Sequence, residues 1–382
     1  MAQKTKSIAL SVSVNICRLL LAATFIFSGF VKANDPLGTL YKLEDYANAI
    51  LPFTLPELFL LGSAVLLALF EFMLGVYILL GINRKGISRI TMAFMVVMTI
   101  LTIYIYIANP VSDCGCFGDV IVLSNGITLA KNIVLLLAAM LVCRYYRLQV
   151  DFMRASVKWF ISLVMLCFSI GYAVYCIIFL PVFDFRPYKL GTNLRDAVAG
   201  ASKQQFDVKI IYEKDGNTLE LTVEDDDPDS TWTYVETRRI QQGNTNLATA
   251  DFYVTDIHEE DVTEDILYAD GYTFLLIIPS LMHADESCID KVNDLYDYSK
   301  EHGIGFYCLT SSADEHSQEY WSDHTGTEYE YYLADERMLK TMVRAKPGLI
   351  LLHDGMIVKK WSNYNLPSEE ELTDKYSNII NG

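Results

Sequence analysis

The first 180 residues alternate long apolar runs with short polar segments. The runs at 8–31, 58–80, 90–108, 127–143 and 159–180 approach the ~20 residues that a helix needs to cross the hydrocarbon core of a bilayer, and predict five spans. Beyond them the pattern shortens. "FDVKIIYEKDGNTLELTVE" has two β-rich runs around Asp215-Gly216, a hairpin signal. From Tyr272, "YTFLLIIPS" reads as a buried strand, "SCIDKVNDLYDYSKEHG" as a helix stopping at Gly303, and "IGFYCLTSS" as a second strand. A helix near 315–322, a short strand at 328–333 and a helix over 335–343 follow. A hairpin turning at Asp354-Gly355 and a last helix near 368–379 complete the order.

Charge divides the chain at the same place. Residues 1–180 carry 13 Lys/Arg and 8 Asp/Glu, whereas residues 181–382 carry 17 and 39. A strongly acidic second half repels nucleic acid and excludes it as a partner. Lys4 and Lys6 precede the first span, Arg84, Lys85 and Arg89 separate the second from the third, and Arg144, Arg147, Arg154 and Lys158 separate the fourth from the fifth. By the positive-inside rule the N-terminus is cytoplasmic, and five spans put the acidic half outside, in an integral cell (inner) membrane protein. Arg18 interrupts the first apolar run and no small-residue cleavage site follows, so that run reads as a span rather than a cleaved signal.

Two charges lie inside the spans. Arg18 and Glu71 each sit about ten residues from the same membrane face, ~15 Å deep at 1.5 Å per residue. Ionisable residues at such depth face the bundle interior and pair, so an Arg18–Glu71 ion pair is expected, as a structural clamp or a site of proton or quinone handling. Gly75 and Gly81 fit close helix packing.

The loop after the third span reads "NPVSDCGCFGDVIV". Cys114 and Cys116 can bond if the chain bends between them, which Gly115 permits. So small a ring is strained, and strained disulfides are oxidising and labile. The flanking Asp113 and Asp119 raise a thiol pKa and act against exchange. Three readings stand: a redox-active pair, a structural turn, or a metal site. The last lacks ligands, since no His occurs before His258. Cys17, Cys143 and Cys167 read as packing residues, and Cys176 as packing or as a resolving thiol near the outer end of its span.

"CRLLLAATFIFSGFVKANDPLG" followed by "FEFMLGVYILLG" resembles the DoxX family, and "CGCFGD" with "LAKNIVLL" makes the chain more similar to the related MauE branch. The resemblance spans roughly residues 12–142. It implies a four-helix membrane bundle tied to quinone-linked or disulfide-linked redox chemistry outside the cytoplasm, and a role in maturing disulfide-rich partners. It implicates Cys114 and Cys116 as the redox pair. The residues mark no cofactor site of their own; a quinone is what the resemblance admits.

The β-α-β-α-β-α-β-β-α order after residue 271, with "AKPG" entering the last hairpin, resembles a thioredoxin fold with Pro347 at the cis-proline place. The position of that family's Cys-x-x-Cys reads "LMHADESC", so the dithiol is missing. Cys288 and Cys308 read as half-buried and core residues, and His283 as a surface residue or a base. The expected domains are a DoxX/MauE-like bundle at 1–150, a fifth span at 151–184, a β-rich region at 185–270 whose acidic run "EDDDPDS" is a solvated loop or a calcium site, and a thioredoxin-like domain at 271–382. One function follows from the CGC loop: extracytoplasmic thiol–disulfide or quinone-linked oxidoreduction on a protein partner. The missing Cys-x-x-Cys supports the alternative, a non-catalytic membrane anchor whose thioredoxin-like domain holds the partner. A transporter fits less well, since no internal repeat accompanies the five spans.

Overall fold

Apolar runs of spanning length satisfy their backbone only as helices. The computed structural model describes residues 2–109, 114–151, 153–203, 207–214, 217–222, 233–240 and 252–380. They fall into two compact units, Met1–Arg186 and Pro187–Gly382.

Among the described residues the first unit contains six α-helices: α1 (Ala2–Asn34), α2 (Pro36–Ile50), α3 (Glu57–Leu80), α4 (Arg84–Ala108), α5 (Asn125–Arg144) and α6 (Ala155–Phe179). All but α2 are long and apolar enough to cross a membrane, as expected. α1 and α3 pack so closely that a Cβ on Gly29 would meet the Phe72 nitrogen at 2.3 Å, and one on Gly75 would meet the Ile26 nitrogen at 2.7 Å. Small residues let helix backbones approach where no hydrophobic force drives them together. Gly81 does not share this role; it ends α3 with φ +66°. The amphipathic helix α2 was not expected. Asp35 starts it by accepting from the Gly38 nitrogen at 2.8 Å, Pro36 occupies its first position, and Leu40 buries against Leu60 and Ala64 of α3.

The expected Arg18–Glu71 pair does not form. The α1–α3 register places Arg18 at the C-terminal end of α3, where its guanidinium donates to the carbonyls of Ile78 (2.8 Å) and Leu79 (2.7 Å), and to Val150 (2.6 Å) in the α5–α6 connection. Carbonyls in a last turn lack intrahelical partners, and a cation there meets the negative end of the helix dipole. Glu71 lies seven residues before Ile78, ~10 Å along the helix axis, and pairs with Lys32 instead.

The second unit begins with α7 (Leu194–Lys203) and a three-stranded antiparallel sheet of β1 (Asp207–Lys214), β2 (Asn217–Thr222) and β3 (Thr233–Ile240) in the order β2-β1-β3. Lys214 opposite Asn217 closes the expected hairpin, whose turn at Asp215-Gly216 and the following acidic run lie outside the described residues. A six-stranded sheet then forms from β4 (Val254–Thr255), β5 (Tyr272–Ile278), β6 (Gly305–Thr310), β7 (Tyr331–Ala334), β8 (Gly348–His353) and β9 (Met356–Ser362), ordered β4-β7-β6-β5-β8-β9. Helices α8 (Thr263–Tyr268), α9 (Ile289–His302), α10 (Glu315–Thr325), α11 (Glu336–Met342) and α12 (Glu369–Ile380) connect and follow them.

Central β5 runs parallel to β6 and antiparallel to β8, which pairs antiparallel with β9. This is the arrangement of a thioredoxin core, and the Lys346–Pro347 peptide entering β8 is cis. β5 is buried on both faces, which explains its unbroken apolar run. Phe274, Leu276 and Ile278 pack in the same core as Val292 and Leu295 of α9 and Trp321 of α10.

Candidate redox site

The site is the loop between α4 and α5, described from Cys114 onward. Asp113, one of the two anions expected to oppose exchange, lies outside the described residues, and Asp119 is exposed. Gly115 turns the chain at φ +63°, and a Cβ there would come 3.2 Å from the Lys42 Cγ. The turn closes with the Gly118 N–H donating to the Gly115 carbonyl at 3.1 Å. It leaves the Cys114 and Cys116 sulfurs 2.9 Å apart as free thiols, nearer than unbonded sulfurs ordinarily approach. Cys114 is buried and Cys116 half-buried.

Two helices hold the loop by its carbonyls, and a third braces one of them. From α2, the Tyr46 hydroxyl donates to the Cys114 carbonyl at 2.8 Å. From α1, the Ser28 hydroxyl donates to the Cys116 carbonyl at 2.7 Å, and the Lys32 ammonium, one turn further on, donates to the same carbonyl at 3.0 Å and to Ser28 Oγ at 2.8 Å. From α3, Glu71 accepts the third Lys32 N–H at 2.6 Å. Lys32 and Glu71 are both buried. A buried ion pair persists when its geometry is good and its remaining hydrogen bonds are made, as here. From α5, Lys131 lies 4.3 Å above the Phe117 ring.

These neighbours separate the two thiols. The hydrogen bond from Cys114 brings the Cys116 thiol down to about 6; burial opposes this, Lys131 and Lys32 reinforce it, and Glu71 opposes it. Cys114 is pushed up, first as the donor to Cys116 and then by burial. A thiolate forms more readily on Cys116 than on Cys114, and a thiolate is the species that thiol–disulfide exchange needs. A cavity of about 130 Å³ borders both cysteines, with Val31, Leu43, Leu67 and Leu101 in its wall and Lys42 and Arg186 beside them. That is comparable to an apolar cavity that takes a single aromatic ring.

The family model of MauE, the methylamine utilisation protein, matches residues 10–145. The membrane region is MauE-like. Cys114 and Cys116 lie within this region, as do all the groups that grip them. No curated protein matches the chain. Among solved structures, the C-terminal domain of a protein assigned as a thiol-disulfide oxidoreductase from Bacteroides thetaiotaomicron is 16% identical, with 34% of this chain and 91% of that chain covered at a TM-score of 0.28. A protein assigned as a protein disulfide isomerase from the same organism is 17% identical, with 35% and 87% covered at a TM-score of 0.27. The thioredoxin-like description of the second unit rests on its strand order and register.

Outside the MauE-like loop the other cysteines are placed differently. Cys176 is buried in α6 against Tyr172 and the Val182 backbone, and among the described residues no contact joins it to Cys114 or Cys116. Cys17 packs beside the core of α1, α3, α4 and α5, and Cys167 is exposed on α6. In the second unit, Cys288 is buried just before α9, and burial, helped by Asp285, pushes its thiol up to about 11. Cys308 is buried in β6, which raises its thiol further. His283 Nδ1 lies 3.1 Å from Ser280 Oγ. Among the described residues no group of His, Cys, Asp and Glu could hold a metal.

Sequence reasoning found the two cysteines and missed their supports. Ser28 and Lys32 carried a signal: at i and i+4 on a spanning helix they share a face, and a lysine near a span end can reach along the helix as well as out to the interface. Nothing local in the sequence marked Tyr46, while Lys131 stood in the "LAKNIVLL" stretch of the family resemblance with no role attached to it.

Proposed function

We propose that Cys114 and Cys116 form a dithiol–disulfide centre that oxidises cysteine pairs in a partner protein outside the cytoplasm. The observation that carries this reading is the geometry of the pair, two sulfurs 2.9 Å apart in a turn whose carbonyls are gripped by Tyr46, Ser28 and the buried Lys32; the lowering of the Cys116 thiol and the raising of Cys114 agree with it. A lowered Cys116 stabilises the reduced form, and a dithiol whose reduced form is stabilised is an oxidant when bonded. The positive-inside charge pattern supports the outward placement of the loop.

In the oxidised form, a partner thiolate attacks Cys116 Sγ, the Cys114–Cys116 bond breaks, and Cys114 leaves and takes a proton. A second partner thiolate then attacks the partner's sulfur in the mixed disulfide, and Cys116 leaves as the thiolate its surroundings favour. The partner gives up two electrons and two protons and gains a disulfide. Re-oxidation of the dithiol requires a two-electron, two-proton acceptor, and a membrane quinone, reduced to the quinol, is the class that balances.

The second unit supports a binding role beside this chemistry. Its only cysteine near the thioredoxin dithiol position, Cys288, is buried and held protonated. That favours a domain that holds the partner over one that exchanges thiols with it.

The test is the redox state of Cys114 and Cys116 in membranes from living cells, read by a mass-shifting alkylator and peptide mass analysis. A mixture of states that shifts with respiration is expected, together with a partner trapped on Cys116 by Cys114→Ser. If the pair stays permanently reduced or permanently bonded, and serine at both positions changes nothing, the anchor-and-scaffold reading replaces this one.

A further inference from the structure

We infer that Lys32, fixed by Glu71, is the positioning residue of the dithiol, fastening the Cys116 carbonyl and counterbalancing the charge that develops on the Cys116 sulfur. The inference rests on the redox reading above and assigns that centre a residue outside its loop.

The geometry carries it. All three Lys32 N–H donors are used, and each partner differs in kind: a hydroxyl that itself grips the Cys116 carbonyl, that carbonyl, and a buried carboxylate. A lysine needed only to neutralise Glu71 has no reason to reach the loop. The helices packed around the loop differ in the titratable groups they present to it. α1 offers Lys32, α2 offers Lys42 and Tyr46, α3 offers Glu71 and α5 offers Lys131, while α4 contributes the apolar Met98 and Leu101. The loop itself adds Cys114 and the exposed Asp119.

Of these, Lys32, Lys131 and Glu71 act on Cys116 by charge. With Cys116 as a thiolate, two cations face two anions and the group is balanced. When Cys116 bonds, that balance loses one anion. Lys32 thereby favours the reduced state, in line with an oxidising centre.

The experiment measures the alkylation rate of reduced Cys116 against pH in native membranes, for the wild type, Lys32→Met, Lys32→Arg and Glu71→Gln. Lys32→Met is expected to move the midpoint upward by about one pH unit or more, a roughly tenfold loss of thiolate below the midpoint. Lys32→Arg, which keeps the charge, is expected to stay near the wild type. Glu71→Gln removes an anion that opposes thiolate formation, so its midpoint is expected to fall. A merely structural role would give the two neutralising variants shifts of the same sign.

An unchanged midpoint in Lys32→Met, or an upward shift in Glu71→Gln, overturns the inference. Should Lys32→Met fail to assemble, Glu71→Gln reads the same field with the opposite sign. The two readings fail separately: a wild type that never changes redox state in cells sinks the dithiol centre, whereas a cycling wild type with a midpoint indifferent to Lys32 sinks only this inference.

Discussion

Two cysteines with opposite surroundings make a direct comparison at the scale of single residues. Cys116 is lowered to about 6 by the Cys114 hydrogen bond and neighbouring ammonium groups, and Cys288 is raised to about 11 by burial and Asp285. A thiolate forms as pH rises through the group's pKa, so between pH 7 and 8 Cys116 is mostly ionised while Cys288 remains a thiol. In native reduced protein at pH 7.5, iodoacetamide is expected to label Cys116 at least tenfold faster than Cys288, with the Cys116 rate levelling off above pH 7. Labelling resolved by peptide would show the reverse order if these environments were wrong. The two cysteines were legible in the sequence because one intervening glycine guarantees their proximity. The ion pair was not, because counting residues from a membrane face gives depth but not register. Arg18 and Glu71 share a depth by that count, yet Arg18 faces the last turn of α3.

At the scale of elements, the packing of α1 on α3 decides where Ser28, Lys32 and Glu71 meet. Gly75 sits where the helices nearly touch, while a Cβ on Gly62 of the same helix would project into open space, with nothing within 4 Å. Gly75→Leu is therefore expected to destabilise the bundle by about 1–3 kcal/mol or prevent assembly. Gly62→Leu should leave the thermal aggregation midpoint in detergent within a degree or two. Equal behaviour of the two variants would mean that α1 and α3 do not pack this way. The five spans were readable from apolar length alone. Helix α2 was not, because its fifteen residues carry no long apolar run. Its clue was local: an aspartate followed by proline, the start signal of a helix.

For the whole molecule, the charge division sets a testable orientation. Lys85, in the first turn of α4, and Asp323, in α10 of the acidic unit, both lie within reach of solvent. In intact cells, a membrane-impermeant maleimide is expected to label Asp323→Cys directly and Lys85→Cys only after permeabilisation. The opposite pattern would place the dithiol loop in the reducing cytoplasm. The thioredoxin-like order was legible because each strand and helix carried its own period and stop signal, whereas the β-rich stretch before it had strand signals but no signature of use. The grip on the CGC loop has one more consequence. Its covalent neighbours are α4 and α5, but the groups that hold its carbonyls come from the first 46 residues, and the carboxylate behind them from α3. The motif is therefore not portable: transplanted by itself into another helical bundle, it would bring the sulfurs and leave their chemistry behind.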